Sequence, residues 1–189
     1  TYFRGICLPM EEVLVAELNG AGWRDRHAPV FVQSFEVEVL KRLNRMTEVR
    51  LVQLLDSDGG PFDQPALTYR AMATPAGLKA IARYADSVGP AKALIIPRDA
   101  AGRSTDPTSF IRDAKADGLL VHPWTFRPEN AFLPAEARRG ADPRTRGNMA
   151  AEVRQFVAAG VDGLFTDSTD LAVAATRGAE PAEMKSDRP

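Results

Sequence analysis

Cysteine, histidine and long apolar runs are scarce in this chain of 189 residues. Cys7 is the only cysteine, which excludes an internal disulfide and a cysteine-built zinc site. Beside Ile6 and Leu8, it is expected to pack as a small hydrophobe. Only two histidines are present, His27 and His122. No segment approaches the roughly 20 apolar residues of a membrane span, so transmembrane anchoring is not expected. Neither sign of charge dominates. A formal net charge of -1 removes any overall electrostatic reason to expect nucleic acid or an anionic membrane as a partner. One short basic stretch, Arg138 to Arg146, falls in an expected loop. There is no Walker-type or Gly-rich dinucleotide loop. The chain starts at Thr1 without an initiator Met or a signal peptide, which predicts a processed chain or a part of something longer.

What is present is a set of short apolar runs that each stop at a polar or charged cluster. They are Val30 to Glu36, Leu51 to Asp56, Leu119 to Thr125 and Gly163 to Asp167. A run apolar throughout suits a strand buried on both faces, as in a parallel sheet covered by helices. Ala93 to Pro97 reads as a weaker fifth strand. Amphipathic segments alternate with these runs: Pro9 to Leu18, Val37 to Met46, Pro75 to Ala85, Thr108 to Ala116 and Met149 to Ala159. Gly118 and Gly160 stand where helix C-caps are expected. Alternation of this kind implies βαβ units in an α/β fold with parallel strands. Two long connections, Ser57 to Thr74 and Arg127 to Asn148, follow strand ends and read as active-face loops. The tail 177–189 has little apolar content and is expected to be flexible.

Five stretches in order resemble the glycerophosphodiester phosphodiesterase family. They are "PVFVQSFEVEVLKRL" from Pro29, "LVQLLD" from Leu51, "TPAGLKAIARYADSVGP" from Thr74, "VHPWTFRPEN" from Val121 and "GVDGLFTDSTDLAV" from Gly160. The "HPWTFRPEN" form and the long insertion after "LVQLL" are most similar to the bacterial periplasmic branch, which implies a periplasmic or secreted location. The resemblance implies a TIM-type (β/α)8 barrel, of which residues 1–176 are the C-terminal half. It also implies hydrolysis of glycerophosphodiesters to glycerol 3-phosphate and an alcohol, dependent on a divalent cation, Ca2+ or Mg2+. Hard cations prefer oxygen ligands and offset charge on phosphoryl oxygens, while a positioned histidine can protonate a departing alkoxide.

The family's acid and base histidines lie in "HRG" and "HD" motifs, and its metal carboxylates in an "E-x-D" pair and a strand like "PEIK". None of these motifs occurs in this sequence. The resemblance therefore implies that acid, base and metal ligands lie upstream. This chain is expected to hold no catalytic or metal-binding residue and to be inactive alone. Its binding partners are then a small glycerophosphodiester and the missing N-terminal half-barrel, or a second copy. The alternative is a non-catalytic half-barrel that serves as a binding or assembly module.

Candidate site residues follow from the strand ends. The family lines its glycerol pocket with aromatics, which implies substrate contact for Phe35 and Trp124; rim packing is the other reading. Arg127 can hold a phosphate bidentately or form a surface pair with Glu129. Gln33 and Gln53 occupy matching places in two runs and are expected to point into the barrel interior, hydrogen-bonded. Glu36 reads as a helix N-terminal acid, and Asp56 as a turn-starting residue. Asp167 is expected to bond a loop or to cap the helix near Asp170. His122, at a strand end, is assigned an orienting or packing role, and His27 a solvated loop position. A weaker idea joins Glu36, Asp56 and Asp167 into a cation site of an unrelated doubly wound hydrolase. In "FTDSTD", Ser168 and Thr169 replace the family's usual Phe-Pro, which loosens the turn after the last strand.

Overall fold

Strand and helix alternate along the chain because apolar runs too short for helices are separated by capped amphipathic segments. The computed structural model describes residues 2–177. In chain order, its elements are α1 (Tyr2–Gly5), α2 (Met10–Gly20), β1 (Phe31–Ser34), α3 (Val37–Leu43) and β2 (Arg50–Leu55). There follow α4 (Tyr69–Met72), α5 (Pro75–Ile81), β3 (Ser87–Pro90), α6 (Lys92–Ile95) and α7 (Phe110–Ala116). Last come β4 (Leu120–Val121), α8 (Met149–Ala159) and α9 (Thr169–Arg177). The expected flexible tail lies outside the described residues except for Arg177, which ends α9.

The four strands form one sheet in the order β1-β2-β3-β4, and every pairing is parallel. Beyond β4, a further run continues the sheet without a regular ladder. Phe165 N donates to Pro123 O at 2.9 Å and Phe126 N to Phe165 O at 2.9 Å. A single parallel bridge joins Phe126 and Thr166. Five parallel runs therefore stand side by side, and the expected run at Gly163 to Asp167 is present as a bridged edge. The Phe31 and His122 rings, on opposite sides of β2 and β3, meet edge-to-face at 4.9 Å. Strand spacing of about 4.8 Å would hold them far apart in a flat sheet, so the sheet is strongly curled. A parallel sheet curled in this way, with helices on its convex side, is part of a TIM-type barrel.

Local chemistry explains the helix ends. Thr74 accepts from Gly77 N at 3.2 Å with Pro75 in the first turn, and Asn148 accepts from Ala151 N at 3.1 Å. Gly160 closes α8 in the left-handed region at φ 97. The convex face carries Leu51, Leu55, Val88 and Val121, all buried, and α3 and α7 pack on β2 and β4.

Two expectations fail. Ala93 to Pro97 is not a strand; Lys92–Ile95 forms the single-turn α6. The strand there is Ser87–Pro90, whose Gly and Pro hid it. At Gly89 a Cβ would meet Leu54 Cδ2 at 2.6 Å and Val52 Cγ1 at 3.2 Å, so these side chains would have to shift. Cys7 is exposed, not packed, and so are Ile6 and Leu8. The connection 127–148 carries two short 3-10 turns, Asn130–Phe132 and Ala135–Ala137. Asn130 is buried and its Nδ2 donates to Arg139 O at 2.8 Å and Asp142 O at 2.9 Å. Its Oδ1 accepts from Arg139 N at 3.0 Å, so one amide side chain closes the loop on itself.

Candidate active site

Side chains alternate across a strand, so register decides which residues share the concave face. Gln33 pairs with Val52, whereas Gln53 pairs with Ser34. The two glutamines therefore face opposite ways, which corrects the expectation that both point inward. Gln33 is exposed on the concave side and lines a cavity there. Gln53 is fully buried on the convex side, where it accepts from Tyr84 Oη at 2.9 Å. Its Nε2 donates to Leu54 O at 3.0 Å and Phe35 O at 3.1 Å. Matching positions in two sequences of strands do not give matching faces unless the stagger is known.

At the carboxyl ends of β1, β2, β4 and the fifth run, a cavity of about 350 Å³ is lined by Gln33, Phe35, Leu54, Trp124, Phe165 and Asp167, among others. Phe35 and Trp124 form one wall, edge-to-face at 5.8 Å. The indole is held in place because its Nε1 donates to Gly89 O at 2.8 Å. Phe35 is 37% exposed, so its ring is open to a ligand. This is the end of a parallel α/β sheet at which such folds place binding and chemistry.

A second cavity, of about 540 Å³, shares Trp124 and Thr125 with the first. Its lining includes Lys92, Arg98, Arg127, Phe132 and Glu152. Lys92 Nζ contacts both Glu152 carboxylate oxygens, at 2.8 and 2.9 Å, and Arg98 reaches Oε1 at 3.1 Å. Burial pushes the Lys92 ammonium below its ordinary pKa against the opposing pull of Glu152, and Arg98 and Arg127 push it further the same way. Arg127 does not pair with Glu129. Its Nε donates to Asp167, and its guanidinium lies over Phe132 at 4.7 Å from the ring centroid. That ion pair joins the linings of the two cavities.

The remaining site residues take structural places. Glu36 is the N-cap residue of α3, whose first amides, Val37 N and Glu38 N, are instead capped by Asp63 at 3.1 and 2.6 Å. Asp56 turns the chain by accepting from Ser57 N at 2.6 Å. Among the described residues, no group of three His, Cys, Asp or Glu could hold a metal ion. Glu36, Asp56 and Asp167, all among the described residues, therefore do not converge on a cation site. His27 is exposed, as expected.

His122 sits deep on the concave side. Its Nδ1 lies 3.2 Å from Ser87 Oγ, and its ring is flanked by Phe31 and Phe165. A Cβ on Gly163 would meet its Cδ2 at 2.8 Å. That enclosure fits an orienting role. Burial lowers the imidazole pKa, Asp162 opposes this and Arg50 adds to it. The folded protein therefore releases the proton more readily than the unfolded chain, whose imidazole titrates near about 6.5. Stability from this group is whole above that value and falls as pH drops below it. The melting temperature should fall between about pH 7.5 and about pH 5, and less steeply in His122→Gln. Parallel slopes in the two proteins would remove His122 as the cause.

Lys92, Arg98 and Glu152 were not read from the sequence. Lys92 follows the carboxyl end of β3 directly, so recognising Ser87–Pro90 as a strand would have exposed it. Glu152 looked like one more helix-surface acid on α8, and nothing local distinguishes it.

A curled parallel half-barrel with an aromatic-walled cavity at its strand ends defines the TIM-barrel class of fold. Residues 6–171 match the model of the glycerophosphoryl diester phosphodiesterase family, and the chain belongs to that family. It is 33% identical over 141 residues to the glycerophosphodiester phosphodiesterase GDPD6 of Arabidopsis thaliana, covering 75% of this chain and 36% of that protein. It is 31% identical over 180 residues to a glycerophosphodiester phosphodiesterase of Treponema pallidum (strain Nichols), covering 84% and 46%. The chain thus spans less than half the length of these two relatives. A solved structure from Silicibacter pomeroyi DSS-3, described as a glycerophosphoryl diester phosphodiesterase, shares the fold with a TM-score of 0.54. Identity there is 15%, over 88% of this chain and 44% of that one.

Proposed function

We propose that this chain is the part of a glycerophosphodiester phosphodiesterase that forms the glycerol end of the substrate pocket. The convergence of Phe35, Trp124 and Gln33 on one strand-end cavity carries this reading. The carbon chain of glycerol lies against the two rings, and the Gln33 amide serves its hydroxyls. Arg127, held by Asp167, reaches toward the phosphate. Protonation of the leaving alkoxide and the binding of Ca2+ or Mg2+ belong to residues outside this chain, since no described cluster here fits an ion.

The purified chain alone is expected to release no glycerol 3-phosphate from glycerophosphocholine in a coupled assay with Ca2+ or Mg2+. Turnover abolished by EDTA would overturn that division of labour. Glycerol 3-phosphate should still shift the Trp124 signal in a side-chain NMR titration, and Phe35→Ala should weaken binding about tenfold or more.

A second reading is a half-barrel that works by assembly. It is favoured by exposed apolar side chains along the first two helices and the turn between them, Phe3, Ile6, Leu8, Met10 and Val13, and by the place of β1 at the end of the sheet. Phe3 and Met10 also line a groove of about 470 Å³ with Val32 and Phe35. Exposed apolar surface beside an unpaired strand edge promotes association. Light scattering on a size-exclusion column should report a species larger than the monomer; a lone monomer at high concentration would count against this reading.

A further inference from the structure

The cavity beyond Trp124 has a composition that the glycerol pocket does not. Three cations, Lys92, Arg98 and Arg127, face it with one carboxylate, Glu152. Glu152 is taken up by Lys92 and Arg98 together, while Asp167 lines the neighbouring cavity. The two arginines are not saturated. Among the described residues, Arg98 bonds through Nη2, to Glu152 and to Phe132 O at 2.6 Å, and Arg127 through Nε. Both are partly open, with side chains 30% and 38% exposed. Their remaining N–H groups suit an acceptor with several oxygens.

Position adds to composition. The two cavities share Trp124 and Thr125 as a common wall and the Arg127–Asp167 pair as a bridge. A diester whose glycerol rests on Phe35 and Trp124 projects its other half over that wall. A quaternary ammonium on that half would meet a poor site. It needs an open aromatic face, and Phe132 already carries the Arg127 guanidinium over its ring.

We propose that this second cavity is a head-group subsite for glycerophosphodiesters whose alcohol half carries its own phosphate or carboxylate. The assignment rests on the reading of Phe35 and Trp124 as the glycerol wall. Lys92 supplies fixed positive charge from the buried side, and Arg98 and Arg127 supply the directional donors. Glu152 keeps Lys92 and Arg98 aimed at the cavity and is a positioning residue.

The test is a set of calorimetric and NMR titrations of the chain with four probes. These are glycerol 3-phosphate, glycerophosphocholine, glycerophosphoinositol 4-phosphate and inorganic phosphate. The phosphorylated inositol diester should bind about tenfold or more tighter than the choline diester, a gap that shrinks with added salt. Arg98→Gln should remove most of that gap while leaving glycerol 3-phosphate affinity within about twofold. Lys92→Met is the second variant, with the same expectation. If glycerol 3-phosphate shifts Trp124 but the two diesters bind equally in the unmutated chain, the subsite is refuted and the glycerol wall stands. If inorganic phosphate matches the inositol diester, the cavity is a bare anion site and the proposal also fails. If glycerol 3-phosphate shifts nothing, both readings fall together.

Discussion

Replacing Glu152 with Ala is expected to destabilise the fold by about 3–5 kcal/mol, measured by urea unfolding. The Glu152 side chain is 2% exposed and that of Lys92 14%, so both charges are largely withdrawn from water. Removing the carboxylate leaves an ammonium in the interior with Arg98 beside it and the Phe126 ring at 4.9 Å. The whole penalty of a buried, unpaired cation is then exposed. Lys92 and Arg98 also hold Phe132 O, at 3.4 and 2.6 Å, so the loop after β4 should loosen as well. The double variant Lys92→Met with Glu152→Met removes both charges and should recover a large part of the loss. A Glu152→Ala cost below about 1 kcal/mol, or a double variant no better than the single one, would show that water reaches the pair.

Gly77→Ala is the second large effect, and its sign runs against local preference. Gly77 lies inside α5, where Ala is ordinarily better by about 1 kcal/mol. Here a Cβ would come within 2.4 Å of both Ala71 O and Met72 O, and within 2.6 Å of Met72 C. These are backbone atoms of and just before the turn into α5, and Thr74 fixes that turn by bonding Ala71 O at 2.7 Å and Gly77 N at 3.2 Å. Nothing there can rotate aside. The substitution should destabilise by about 1–3 kcal/mol or more, read from the urea midpoint at unchanged slope. A neutral or stabilising result would mean that α4 and α5 separate freely. Gly118→Ala offers a contrast: no atom lies within 4 Å, and its cost should be that of the positive φ alone.

Parallel strands were legible because their signal is local. Phe31 to Ser34 and Arg50 to Leu55 are apolar runs ended by polar residues, and helices with Thr, Asn and Gly at their ends stand between them. Ser87–Pro90 escaped because a strand buried on all sides can be built from residues of low strand preference when packing dictates small side chains. Lys92 to Ile95 misled for the opposite reason: three apolar residues in a row suit either a strand or one helical turn.

The site divides along the same line. Phe35 and Trp124 come together in one cavity because each lies at the carboxyl end of a strand, the end where this fold gathers its loops. Gln53 was placed on the wrong face because a one-residue stagger between β1 and β2 inverts the orientation, and stagger is a property of two strands together. The Arg127–Asp167 and Lys92–Glu152 pairs span 40 and 60 residues of chain. No periodicity carries such a pairing.

By itself, the sequence determined the alternation of elements, the parallel sense of the sheet, the family and the polar strand tips, since each depends on residue type and near spacing. Only the tertiary structure decided which face each side chain takes, which charges meet and where the cavities open. Those outcomes depend on register and curvature, which arise when distant segments pack and which no single segment contains.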